Sequence, residues 1–213
     1  MTQAQWIQRV VKPVAFLSAL VPLGLLLWRG LNGELSANPI SDITNETGTW
    51  TLRFLMITLA VTPLRRITGW SGIARFRRMS GLFAFFYGSL HFMTYLYLDQ
   101  FFDINSILHD IPKRPFITVG FTAFVLMIPL AATSMDRIAK WMGGKRWRRL
   151  HRLVYATAIA GVIHYLWLVK ADTRPPLTYA AILAVLLGYR IWVYVRPRLA
   201  QLRLPARKEA EPA

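Results

Sequence analysis

The sequence predicts an all-α polytopic membrane protein, a bundle of six transmembrane helices with both termini in the cytoplasm. Three observations carry this. Of 213 residues, 54% are hydrophobic and only 17% charged, against roughly a quarter charged in soluble domains. The apolar residues gather into runs near the ~20-residue length that spans a bilayer. These runs are apolar on all faces rather than along one stripe, which a soluble helical protein would not show. Finally, the basic residues concentrate on alternate loops.

The spans follow in order. The first runs from about Val10 to Trp28, behind Arg9 and Lys12, with Pro13 at its start and Pro22 inside. Small residues at Leu35-Ser36-Ala37 resemble a signal-peptidase site, but they lie far from the apolar run, so an uncleaved first span is expected. A polar loop, Arg29–Trp50, leads to a short second span, Thr51–Leu64, closed by Pro63, Arg65 and Arg66. The third span is Met79–Leu98, where Gly81, Gly88 and Ser89 permit close approach. A loop with three aspartates and His109 follows, Asp99–Pro115, and then a fourth span, Phe116–Thr133, with Pro129 as a kink. A basic loop, Ser134–Arg149, precedes the fifth span, Leu150–Lys170. The sixth is Leu177–Val195. No internal repeat is visible. The expected organisation is one transmembrane domain over residues 1–199 and a basic, disordered cytoplasmic tail over 200–213.

Orientation comes from charge. Twenty of the 26 Lys and Arg residues fall on the face that holds the termini, and seven of the ten carboxylates on the other. Positive residues flanking spans stay in the cytoplasm. The net charge of +16 is therefore a topology signal, and no nucleic-acid partner is expected.

The chain has no cysteine, which excludes disulfides, thiol catalysis and cysteine-ligated iron–sulfur clusters. No HExxH or GxGxxG motif occurs. What stands out is histidine inside apolar runs. His91 lies about a dozen residues into the third span, and His164 about fourteen into the fifth. At ~1.5 Å per residue the two reach the same depth, in the outer half of the bilayer. Intramembrane histidines are costly and usually functional, and imidazole is a common axial ligand of haem iron. His91 and His164 are thus expected to hold one b-type haem from opposite sides, although a histidine in a helix is often no more than a hydrogen-bonded core residue. His151 sits at the cytoplasmic start of the fifth span, thirteen residues before His164. On an ideal helix the two would point about 140° apart. Opposite His151, where the third span should supply a partner, stand Arg77 and Arg78. Those arginines could pair with propionates or with a flavin phosphate, or serve as positive-inside anchors. His109, beside Asp110 in an outer loop, is expected to be solvated.

The stretches RRMSGLFAFFYGSLHFMTYLYL, RPFITVGFTAFVLMIPLAATS and GKRWRRLHRLVYATAIAGVIHYLWLVK together resemble the MsrQ (YedZ) family. This family comprises haem-binding membrane subunits of the bacterial periplasmic methionine-sulfoxide reductase system. More distantly the chain is similar to the ferric-reductase and NADPH-oxidase transmembrane domain. That superfamily usually carries two histidines on each of two helices; here the third span has only His91. The resemblance implies a bacterial inner-membrane subunit with haem b (one, or two if His151 holds another) and FMN. It implies electrons taken from the quinone pool or a cytoplasmic flavin reductase and passed to a periplasmic molybdopterin catalytic subunit as heterodimer partner. No flavin- and nicotinamide-binding domain follows the sixth span, so the donor is expected to be separate. With no cysteine, the sulfoxide chemistry is expected in the partner. The alternatives are a stand-alone transmembrane ferric or quinone reductase and a non-redox transporter or scaffold.

Overall fold

The structure is a computed structural model that describes residues 2–202. It is helical, with no strand among the described residues. The elements are α1 (Gln3–Trp6), which continues through a π-helical turn into α2 (Lys12–Leu31), then α3 (Pro39–Thr68), α4 (Phe76–Met93), α5 (Ile104–Lys113), α6 (Pro115–Ala132), α7 (Asp136–Met142), α8 (Gly144–Leu150), α9 (Leu153–Leu168) and α10 (Arg174–Leu202). The expected tail lies, from residue 203 on, outside the described residues.

Two antiparallel hairpins, α3 with α4 and α6 with α9, make the centre. Thr44 meets His91 at one end of the first hairpin, and Thr58 meets Gly81 towards the other. Phe116 meets His164 at one end of the second, and Thr133 meets His151 at the other. Stacked rings join the hairpins: Phe85 on Phe124, with centroids 5.8 Å apart, and Phe92 on Phe124 at 4.7 Å. Ala84 and Ala158 are fully buried; small residues let helices approach closely in lipid. α2 packs outside, through Phe16 on Phe83 and the Tyr87 hydroxyl, which donates to the carbonyl of Ala19 at 2.8 Å. α10 closes the other flank against α3 and α9.

Among the described residues, three stretches are long and apolar enough to cross a membrane by length and composition: Ile7–Leu31, Pro115–Ala132 and Arg174–Pro197. Their outer faces are bare hydrocarbon, including Leu25 at 58% exposure and Val185 at 71%. Unpartnered apolar surface of this extent belongs against lipid. α3 and α4 are more polar and bury the hydroxyls of Thr47, Thr58 and Ser80 in the interior. On α3, the hydroxyls of Thr44, Thr51 and Thr58 donate back to the carbonyls one turn earlier, which satisfies them where water is absent.

Several expected boundaries need correction. The polar loop ends at Pro39, not Trp50, and α3 begins there. Asn38 caps the helix, its side chain accepting from the Ser41 N–H at 3.1 Å, and proline occupies the first turn, a favoured arrangement because that turn has spare N–H groups. α3 also runs through Pro63 to Thr68, where Gly69 takes φ 69° and ends it. The loop Asp99–Pro115 contains α5, capped by Asp103. The basic loop Ser134–Arg149 contains α7 and most of α8. The fifth span is not one helix over Leu150–Lys170: the chain turns at His151 and Arg152, and α9 starts at Leu153. The 140° separation expected of an unbroken helix therefore does not apply to His151 and His164.

Candidate functional site

His91 and His164 face each other across the two hairpins, with ring centroids 6.0 Å apart and ring planes at 77°. Each ring is oriented through Nδ1. That of His91 donates to the carbonyl of Thr44 at 2.9 Å, and that of His164 to the carbonyl of Phe116 at 2.7 Å. An imidazole that gives one N–H to a backbone carbonyl presents its other nitrogen, Nε2, as a metal ligand of fixed tautomer.

The spacing suits one metal between the two rings. With metal–nitrogen bonds of ~2.0 Å and roughly 1 Å from each nitrogen to its ring centre, opposed imidazoles stand about 6 Å apart. The packing also suits tightly placed rings. Gly48 and Gly120 lie directly against the imidazoles. A Cβ on Gly48 would stand 3.0 Å from His91 Nδ1, and one on Gly120 would stand 2.6 Å from His164 Nδ1. The residues present therefore fit a haem iron, which His91 and His164 would hold through Nε2. Gly48 and Gly120 went unnoticed in the sequence, where Gly81, Gly88 and Ser89 were the expected close-approach positions. In the structure Gly81 faces Thr58, and Gly88 faces Met127 and Thr51.

At the other end of the bundle, a cavity of about 250 Å³ is lined by Arg77, Arg78, Thr58, Ser134, Trp147 and His151, among others. The structure thus brings His151, Arg77 and Arg78 around one space. The His151 ring stacks on Trp147, with centroids 3.9 Å apart. Its Nε2 lies 3.0 Å from the Thr133 hydroxyl, which itself donates to the carbonyl of Pro129 at 2.6 Å. With that hydroxyl proton committed, Nε2–H of His151 is the donor. Nε2 is engaged, and Nδ1 remains as an acceptor. Among the described residues the ring beside His151 is an indole, and no group of three or more His, Cys, Asp or Glu could hold a metal ion. Arg78 is paired with Asp136, so Arg77 carries the cavity's uncompensated charge. Asp136 is held below the usual carboxylate range by its hydrogen bond from Arg78. His109 is exposed on α5.

This helical bundle contains a ferric-reductase-like transmembrane domain. The family model described as ferric reductase like transmembrane component matches residues 47–162, a stretch that includes Gly48, His91, Gly120 and His151. Among curated proteins the chain is 54% identical over 185 residues to the protein-methionine-sulfoxide reductase heme-binding subunit MsrQ of Herminiimonas arsenicoxydans, covering 86% of this chain and 85% of that one. It is 54% identical over 188 residues to that of Azospira oryzae, covering 87% and 80%. It is 50% identical over 190 residues to that of Bordetella pertussis, covering 88% and 92%. The chain belongs to the MsrQ family. No solved structure matches it.

Proposed function

We propose that this chain is the haem-carrying electron-transfer subunit of a periplasmic protein-methionine-sulfoxide reductase system, set in the bacterial inner membrane. The single observation that carries this is the His91–His164 pair, opposed at 6.0 Å with both Nδ1 atoms committed to backbone carbonyls. A b-type haem bound there would supply a one-electron iron couple within the membrane. His91 and His164 hold it; Thr44 and Phe116 fix their tautomers. We read six spans from the six apolar runs, and both termini in the cytoplasm from the clustering of Lys and Arg on alternate connections. In that frame the imidazole pair lies towards the periplasm and the arginine-lined cavity towards the cytoplasm.

Electrons enter at the inner cavity, from the quinone pool or a cytoplasmic flavin reductase. There Arg77 attracts an anionic group, Arg78 is steadied by Asp136, and His151, held at Nε2 by Thr133, orients the incoming cofactor through its free Nδ1. An FMN phosphate suits Arg77 and Arg78 chemically, and its assignment rests on family resemblance. The partner is the periplasmic molybdopterin catalytic subunit. It reduces the sulfoxide, because this chain has no cysteine to do so.

The test is the dithionite-reduced minus oxidised visible spectrum of the detergent-purified protein, with haem quantified per chain. Wild type should give a b-type spectrum. His91→Ala and His164→Ala should each abolish it or convert it to a different ligation state. Colourless wild-type protein, or a His91→Ala protein with unchanged haem content and spectrum, would overturn the proposal.

A further inference from the structure

The two histidines are seated by the same local device, used once on each hairpin. His91 donates to the carbonyl of Thr44, and four residues on, one helical turn along the same face, lies Gly48, against the ring. His164 donates to the carbonyl of Phe116, and four residues on lies Gly120, against that ring. The carbonyl-to-histidine separations are 47 and 48 residues. In each case an imidazole from the second helix of a hairpin drops into a notch left by a missing Cβ on the first, and reaches the carbonyl at the notch's upstream edge. The contacts are with ring atoms pinned by a hydrogen bond, so the ring cannot swing aside as the end of a flexible side chain would.

From this geometry we infer that Gly48 and Gly120 are positioning residues that fix the rotation of the two axial imidazoles and hold their planes near perpendicular. The inference rests on the haem assignment above and adds what the chain does to that haem. In low-spin ferric haem, parallel imidazole planes split the two iron π-type d orbitals and give a rhombic electron paramagnetic resonance spectrum. Perpendicular planes leave those orbitals nearly degenerate and give one highly anisotropic low-field feature. The 77° between the His91 and His164 rings belongs to the second class. The protein thereby controls the electronic state of the iron through two absent methyl groups, with no change of ligand.

The experiment is low-temperature electron paramagnetic resonance on oxidised, purified protein, with haem quantified in parallel, for wild type, Gly48→Ala, Gly120→Ala and Gly88→Ala. Wild type should show the single highly anisotropic feature. Gly120→Ala should move it towards a rhombic spectrum or lose haem, since its Cβ would stand 2.6 Å from the ring; Gly48→Ala, at 3.0 Å, should do so to a smaller degree. Gly88→Ala, whose Cβ faces Met127 and Thr51 instead, should match wild type. A rhombic wild-type spectrum would overturn the inference. So would Gly48→Ala and Gly120→Ala proteins with full haem and unchanged signals, or equal haem loss in all three variants. A wild type without haem would instead refute the haem assignment itself, which separates the two failures.

Discussion

Arg190 donates through Nη2 to the carbonyl of Leu59 at 2.6 Å, and Leu59 is the residue that Pro63 leaves without a helical partner. In α3 the Leu59 carbonyl should accept from the residue four positions on. That residue is proline, which has no N–H and whose ring crowds the same carbonyl. In lipid an unmatched carbonyl is costly. A guanidinium from α10 supplies the missing donor, and its Nη1 bonds the Tyr155 hydroxyl at 2.7 Å. Arg190 thus ties α10 to α3 and α9 at Pro63.

The expected consequence is strong coupling between positions 63 and 190. Arg190→Met alone should destabilise the protein by about 1–3 kcal/mol, the range for losing a hydrogen bond to a charged donor and stranding its acceptor. In a Pro63→Ala background, where residue 63 can serve the Leu59 carbonyl, the same substitution should cost clearly less. Thermal unfolding in detergent across the four proteins measures this. Additive losses would show that Arg190 does not act through the proline.

The Arg78–Asp136 pair should make no pH-dependent contribution in the physiological range. The Asp136 pKa is lowered by Arg78, so the stabilisation is present above the ordinary carboxylate value and lost only as pH falls through the lowered one. From about pH 5 to 8 both groups are charged throughout. The side chains are 46% and 73% exposed, so the effect is small as well as flat. The difference in melting temperature between wild type and Asp136→Asn should stay constant over that window. A difference that drifts with pH would mean that another titrating group is coupled to the pair.

The positions of His91 and His164 were legible in the sequence because helix rise is fixed: counting residues from the span ends gives equal depth without knowledge of packing. Gly48 and Gly120 were not, because a notch has meaning only once it is known which helix faces which. The hint lay in two matched spacings, from Thr44 and Gly48 to His91 and from Phe116 and Gly120 to His164, and it is too sparse to register as a repeat. The early start of α3 was signalled by Asn38-Pro39, but Ser41, Asp42, Asn45 and Glu46 gave the segment the composition of a loop. The turn at His151 was hidden for the opposite reason. Both flanks are helical, and nothing in the sequence at His151-Arg152 breaks a helix.

Gly88 should tolerate what Gly120 does not. A Cβ on Gly88 would come within 2.8 Å of the Met127 terminal methyl, and methionine, unbranched with three rotatable bonds, can move aside. Gly88→Ala should therefore cost less than about 1.5 kcal/mol, whereas Gly120→Ala, against a pinned ring, should fall in the ~1–3 kcal/mol range of overpacked cores. Unfolding of the haem-free proteins would check the order without interference from the cofactor. A larger cost at Gly88 would mean that the α4–α6 contact is the tighter of the two.

His151 should govern electron entry and leave the outer pair intact. Its ring lies on Trp147, its Nε2–H is held by Thr133, and both it and Trp147 line the inner cavity with Arg77 and Arg78, at the opposite end of the α6–α9 hairpin from His164. Removing it empties one wall of the cavity and takes the stacked ring from Trp147, whose Nε1–H stays bonded to the carbonyl of Thr133 at 2.9 Å. His151→Ala should keep the b-type spectrum of the His91–His164 site and its full reduction by dithionite, while slowing reduction by free reduced flavin about tenfold, the change that ~1.4 kcal/mol of lost stabilisation produces. Thr133→Val, which removes the acceptor for Nε2–H and leaves the imidazole in place, should give a smaller slowing in the same direction. Stopped-flow reduction followed at the haem band reads both. If the flavin-dependent rate is unchanged in both variants, the donor does not enter at this cavity; if His151→Ala loses the outer spectrum, the two ends of the hairpin are not independent sites.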